Sequence, residues 1–221
     1  MTPTTLNRTR RVVGTALAAA TLAAALSACA PLIVGGAVVG GVMAVDRRTA
    51  GTQIEDEGIE LRAANRIREA LGDRAHVNVT SYNRQVLLTG EVATAQDRQA
   101  VEQMVSQVEN VRSVVNDLAV MPPSTLSQRS TDTFITGKVR ASLVDAQDSS
   151  ANSFKGVTER DTAYLVGRVS QREANRATDI ARGVTDVRKV VRVFEIVSEE
   201  ELRRIAPQPA PVTTDTKPTG G

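Results

Sequence analysis

From Ile59 onward the apolar residues fall at regular intervals. Ala63, Ile67 and Leu71 are spaced by four, which predicts a helix over residues 59–71 with one apolar face. Gly72-Asp73 ends it. Val77-Asn78-Val79-Thr80-Ser81 then alternates as a half-buried strand does. Asn83-Arg84 is a turn, and Val86 to Val92 is a second strand interrupted by Gly90. Val101, Met104, Val105 and Val108 share one face of a helix over residues 95–109, and Val111 to Val120 reads as a third strand. Met121-Pro122-Pro123-Ser124 punctuates the chain, and the same order returns. Ile135, Val139 and Leu143 mark a helix. Phe154 to Arg160 and Thr162 to Val169 form a hairpin around Arg160-Asp161. A helix over residues 171–183 and a strand from Val187 to Val197 close the series.

The residues themselves recur. Leu88-Thr89-Gly90-Glu91-Val92 returns as Leu165-Val166-Gly167-Arg168-Val169. Val108-x-x-Val111-Arg112-x-Val114-Val115 returns as Val184-x-x-Val187-Arg188-x-Val190-Val191, and Ile67-Arg68-x-x-Leu71 matches Val139-Arg140-x-x-Leu143. Matched blocks in one order indicate an internal duplication. The predicted fold class is α+β: two tandem domains, residues 55–121 and 130–198, each helix-strand-strand-helix-strand with the helices packed on a small sheet. Residues 122–129 are the linker and residues 199–221 a disordered Pro/Thr-rich tail. Leu71 to Gly90 is 19 positions and Leu143 to Gly167 is 24, which predicts a longer excursion near Asp145 to Ser153 in the second copy.

Upstream the pattern is different. Arg8, Arg10 and Arg11 precede a short apolar run, Val12 to Leu26, and the small residues Ser27 and Ala28 lead to Cys29, the only cysteine. This is the layout of an export signal over residues 1–28. A lone cysteine forms no internal disulfide and has no second thiol for a metal. A plain secretory signal followed by a free thiol is one reading; a lipid-acceptor cysteine is the other. Residues 29–54 are the N-terminal segment, whose apolar part from Ala30 to Val45 carries Gly35-Gly36 and Gly40-Gly41. It is too short to span a bilayer, and either lies at its surface or acts as a flexible tether.

Charge changes this picture little. The chain carries a net +2, but residues 1–28 hold three arginines and no acid, leaving 24 basic and 25 acidic side chains, a net of −1. Together with 2% aromatics and no Trp, this argues against a nucleic-acid partner. Residues 55–120 carry a net of −4 and residues 130–198 a net of +2. The second copy could therefore meet anionic headgroups, unless its charges are evenly spread and merely solvating.

Candidate chemistry is sparse. Gly90 and Gly167 hold equivalent strand positions and read as structural, marking a bulge or a close backbone approach rather than a phosphate loop. His76, the only histidine, has no metal-ligating neighbour in sequence and is expected to face solvent at the helix–strand turn. No Gly-x-Ser-x-Gly elbow accompanies it, so no enzyme and no catalytic residue is expected.

Leu26-Ser27-Ala28-Cys29 resembles the bacterial lipoprotein signal. The repeated unit, with Leu-x-Gly-x-Val on its second strand and Val-x-x-Val-x-x-Val-Val entering its last, resembles the BON domain. Two such units behind a lipobox resemble the DolP (YraP) family of outer-membrane lipoproteins, over roughly residues 26–197. Thr49-Ala50-Gly51-Thr52-Gln53 and Asp132-Thr133-Phe134-Ile135-Thr136 carry the likeness further. The resemblance implies lipidation of Cys29, with no other cofactor and no metal. It also implies sorting to the outer membrane facing the periplasm, consistent with Ala30 after the cysteine. It further implies contact with anionic phospholipid in support of envelope integrity. Helix geometry and the family's aromatic at this point make Phe134 and Lys138 the expected phospholipid-binding residues, with Arg140 on another side a weaker candidate. A non-enzymatic scaffold for envelope-assembly or cell-wall proteins is the alternative.

Overall fold

A computed structural model describes residues 46–146 and 153–205. The signal over residues 1–28, Cys29, the run to Val45, most of the expected excursion (147–152) and the tail from residue 206 lie outside the described residues.

Helix α1, Ala50–Leu71, begins nine residues before the apolar periodicity does. Thr49 caps it, its hydroxyl accepting the amide of Thr52 at 3.1 Å. Its buried stripe is Asp56, Ile59, Ala63, Ile67 and Leu71. Strands β1, His76–Tyr82, and β2, Gln85–Val92, pair antiparallel across Asn83-Arg84. Both turn residues have positive φ, 50° and 64°, the conformation of a tight hairpin whose twist matches its strands. Helix α2, Ala95–Ser106, leads to β3, Ser113–Asn116, and β4, Ala119–Val120, both parallel to β2. The single strand expected from Val111 to Val120 is thus interrupted. Its register is unchanged across the break, with Leu88 opposite Asn116 and Glu91 opposite Ala119. The Asn116 carbonyl oxygen of the side chain takes the Leu118 amide at 3.2 Å, and Leu118 turns into the core.

The second copy repeats this with α3, Leu126–Asp145; β5, Phe154–Glu159; β6, Thr162–Val169; α4, Gln171–Arg182; and β7, Lys189–Ile196. β6 is central, antiparallel to β5 and parallel to β7. The linker is shorter than expected. Residues 126–129 already form the first turn of α3, because Thr125 and Gln128 make a capping box. The tail is also shorter. α5, Glu199–Ile205, buries Leu202 and places acids in its first turn and arginines in its last, favourable to the helix dipole. No helix among the described residues is long and apolar enough to cross a membrane.

One matched block needs correction. Asp56 and Asp132 hold the same place on α1 and α3, so Ile59, Ala63 and Ile67 correspond to Ile135, Val139 and Leu143. Matching Ile67 to Val139 slides the helices by one turn, an error that a stripe repeating every four residues invites. Asp56 to Gly90 is 34 positions and Asp132 to Gly167 is 35, so the second copy is one residue longer there, not five.

The helices of each copy cover one face of its sheet, and the opposite faces of the two sheets meet. Val86, Leu88 and Val92 face α1 and α2, while Leu87 joins Tyr82, Tyr164, Val166 and Val193 in a separate core between the sheets. This explains why β2 and β6 are apolar on both faces. It also explains the alternation of β1: Val77 and Val79 pack on their own helices, and His76 and Asn78 turn toward the second copy.

Candidate functional site

Each α1-type helix carries a buried aspartate that holds the hairpin turn of its own copy. Asp56 accepts the amides of Asn83 and Arg84 at 2.8 Å and the Ser81 hydroxyl at 2.7 Å. Asp132 accepts the amides of Arg160 and Asp161 at 3.0 Å. Burial pushes the Asp56 carboxyl up, but donors from Arg84, Ser81, Arg48 and Asn83 outweigh it and hold the group below its ordinary value. These aspartates escaped the sequence reading, although Asp-x-x-Ile-x-x-x-Ala/Val-x-x-x-Ile/Leu stands at both places.

The residues expected to meet lipid lie on the outer face of α3. Phe134 is 68% exposed, so it does not pack on the first copy or the linker. Successive residues of a helix rotate by about 100°, which puts Phe134 off the Ile135-Val139-Leu143 stripe. Leu126, 79% exposed, and Val144, 53% exposed, lie five turns apart on the side opposite that stripe, one toward each end of the helix from Phe134. The Lys138 ammonium sits 5.2 Å from the Phe134 ring centroid. It is not free to reach outward unopposed: it pairs with Asp186 at 2.6 Å and the Thr185 carbonyl at 2.8 Å. Arg140 borders the other flank of this face and has no ion-pair partner among the described residues.

Residues 46–54, assigned from sequence to the N-terminal segment ahead of the first domain, instead belong to the folded part as a strap and the start of α1. Arg47 donates to both oxygens of Glu173, at 2.8 and 2.7 Å, and to the Arg168 carbonyl at 3.1 Å. Arg48 pairs with Asp46 and Asp56 and lies 4.4 Å over the Tyr82 ring. The strap therefore joins the start of the first copy to the second.

A further cluster forms between the sheets. His76 opens β1, not a loop, and its side chain is 15% exposed. Its Nδ1 lies 3.1 Å from Glu91 Oε2 and 3.7 Å from Glu159 Oε1. The expectation of a solvent-facing histidine without metal-ligating neighbours is overturned, because strand pairing puts Glu91 opposite His76 and the second copy brings Glu159. Arg160 holds Glu91 Oε1 at 2.7 Å, the Ser124 amide donates to Oε2 at 3.0 Å, and Asn78 holds Glu159 Oε2 at 2.7 Å. Burial pushes the Glu91 carboxyl up, but donors from Ser124, Arg160 and His76 bring it below its ordinary value. Burial raises Glu159, with only Asn78 and the neighbouring histidine opposing it.

Both strand glycines mark close backbone approaches, Gly90 beside this cluster and Gly167 at the far end of the β5–β6 ladder. At Gly90 φ is 110°, and an added Cβ would stand 2.1 Å from the His76 carbonyl oxygen. At Gly167 it would stand 2.4 Å from the Ser153 carbonyl oxygen.

The chain is similar to known proteins. The BON domain family matches residues 59–122 and 131–198. The outer membrane lipoprotein DolP of Haemophilus influenzae is 34% identical over 77% of this chain and 89% of its own. The 21 kDa hemolysin of Actinobacillus pleuropneumoniae is 33% identical over 69% of this chain and 80% of its own. CdsD, a structural protein of the type III secretion system of Chlamydia trachomatis, aligns over 72% of this chain and 99% of its own at 13% identity and a TM-score of 0.28, a likeness too weak to carry an argument. With two matched domains and a relative this similar along most of both chains, the protein belongs to the BON-domain family, as a dual-BON member of the DolP family of outer-membrane lipoproteins.

Proposed function

We propose that this outer-membrane lipoprotein binds anionic phospholipid from the periplasmic side and thereby maintains the integrity of the membrane. Cys29 carries the anchor in this reading, and the outer face of α3 makes the second contact. The observation that supports it is Phe134, a large aromatic left 68% exposed on the outward side of α3, which also exposes Leu126 and Val144 further along the helix. Exposed apolar side chains bordered by cations suit a headgroup boundary, where the ring enters the acyl region and the charge stays at phosphate. Arg140, without an ion pair among the described residues, supplies the more available charge; Lys138 must trade Asp186 for a phosphate. An exposed cation contributes about 1 kcal/mol beside an anionic surface.

Vesicle sedimentation tests this. The chain should pellet with vesicles containing phosphatidylglycerol and not with pure phosphatidylcholine. Phe134→Ala and Arg140→Glu should each reduce binding with the circular dichroism spectrum unchanged. Added salt should weaken the arginine contribution and leave that of the phenylalanine, because exposed charge is screened. Binding indifferent to anionic lipid, or unchanged in the double variant, would sink the reading and favour a protein-interaction scaffold. The anchor has its own check: Cys29→Ala should abolish acyl labelling and release the protein from the outer-membrane fraction.

A further inference from the structure

We infer that His76, Glu91 and Glu159 form a binding site for a divalent transition-metal ion, of which zinc is the natural occupant, at the seam between the two BON domains. One ligand atom from each of the three residues lies within 4.8 Å of the other two. Tetrahedral zinc holds nitrogen and oxygen ligands at about 2.0–2.2 Å, which sets its ligand atoms roughly 3.3 Å apart. The separations from His76 Nδ1, 3.1 and 3.7 Å, bracket that spacing.

The outer atoms of the cluster are already arranged as metal sites arrange them. Each carboxylate has its outer oxygen held by a side chain and its other oxygen turned toward the histidine, that of Glu91 also accepting the Ser124 amide. Arg160 holds Glu91 Oε1, and Asn78 holds Glu159 Oε2. Such contacts orient ligands and account for much of a site's affinity.

Glu159 gives a second and independent reason. It is 2% exposed and has no Arg or Lys ion pair among the described residues. A buried carboxylate is costly unless it is paired or coordinates a metal. Glu91 has its cation in Arg160, whereas the unheld oxygen of Glu159 faces His76 beyond hydrogen-bond reach. A cavity of about 340 Å³ opens beside His76 and Glu159, with Asn78, Thr80 and Asp132 among its lining residues. It gives an ion a way in and leaves room for water as a further ligand. One imidazole with two carboxylates suits zinc, whereas magnesium and calcium favour oxygen-only shells. Because His76 and Glu91 belong to the first copy and Glu159 to the second, the ion would staple the copies together.

The test uses the full chain in detergent micelles, with Cys29→Ser in every sample so that the thiol binds no metal. Zinc at about a hundredfold excess over its dissociation constant should raise the thermal midpoint by on the order of 5 °C, and magnesium should not. His76→Gln and Glu159→Gln should each weaken zinc binding by calorimetry more than about tenfold and abolish the shift. Should His76→Gln fail to fold, the shape-conserving Glu159→Gln decides, together with the visible absorption of cobalt bound to the parent chain and its displacement by zinc. No zinc-dependent shift in the parent, or a full shift retained in folded Glu159→Gln, overturns the site.

Discussion

Asp56 fastens a turn 27 positions away in the chain, and its loss should be felt through the whole first copy. Asp56→Ala leaves buried amides and the Arg48 cation without their acceptor, and removing one partner of such a buried pair costs about 3–5 kcal/mol. Denaturant melts should show this, with Asp56→Asn milder because shape and some hydrogen bonding survive. The same carboxylate predicts acid sensitivity. Its folded pKa lies below the unfolded one, so its contribution is fully present above about pH 4, the unfolded value, and is lost as pH falls through the folded value. Asp56→Asn should flatten that acid limb of the stability curve and leave the neutral region parallel to the parent. The glycines act by space. Gly90→Val meets the His76 carbonyl and also imposes a side chain on a positive φ, whereas Gly167→Val meets only the close approach of Ser153. Both should destabilise, on the order of 1–3 kcal/mol, with Gly90 the worse. Equal melting midpoints for parent and Gly90→Val would mean that β2 relaxes away from β1.

At the scale of elements, the start of α1 ties the first copy to the second. Thr49 caps the helix, Arg48 neutralises buried Asp56, and Arg47 forks onto Glu173. Burial pushes the Glu173 carboxyl up, but Arg47 and the Ser170 amide hold it below its ordinary value. Arg47→Ala leaves that carboxylate buried without its cation, so a loss of about 3 kcal/mol is expected. Hydrogen exchange should rise in both the first turn of α1 and the first turn of α4, because one contact joins them. Exchange confined to α1 would show that the strap contributes nothing to the second copy. The apolar periodicity could not reveal this segment, since residues 50–58 are held by polar contacts with partners far along the chain.

At the scale of the molecule, the two sheets meet face to face and their helices lie outside. Tyr82 and Leu87 from the first copy and Tyr164, Val166 and Val193 from the second fill the space between them. The Tyr164 hydroxyl reaches Asp117 at 2.8 Å, and Lys155 reaches Glu60 at 2.8 Å. Either BON domain alone would expose an apolar sheet face. The intact chain should unfold in one transition, and either half expressed alone should lose stability or self-associate, as light scattering and denaturant melts would report. A half that melts at the parent midpoint as a monomer would show that the seam adds no stability.

Local pattern was enough to determine the duplicated helix-strand-strand-helix-strand order, the two hairpin turns and the core stripe Ile135-Val139-Leu143, because each depends on neighbours a few residues away. The same was true of the off-stripe place of Phe134, which is a matter of helix rotation alone. What pattern could not supply was the identity of the surface opposite each polar position. His76 and Asn78 alternate with apolar residues as if toward water, Glu159 stands between polar neighbours beside a turn, and only sheet packing turns them toward each other. The partner of Lys138 was hidden for the same reason, since Asp186 lies 48 positions on. Periodicity reports which side of an element is buried in its own copy; what covers the other side is decided by contacts between elements distant in sequence.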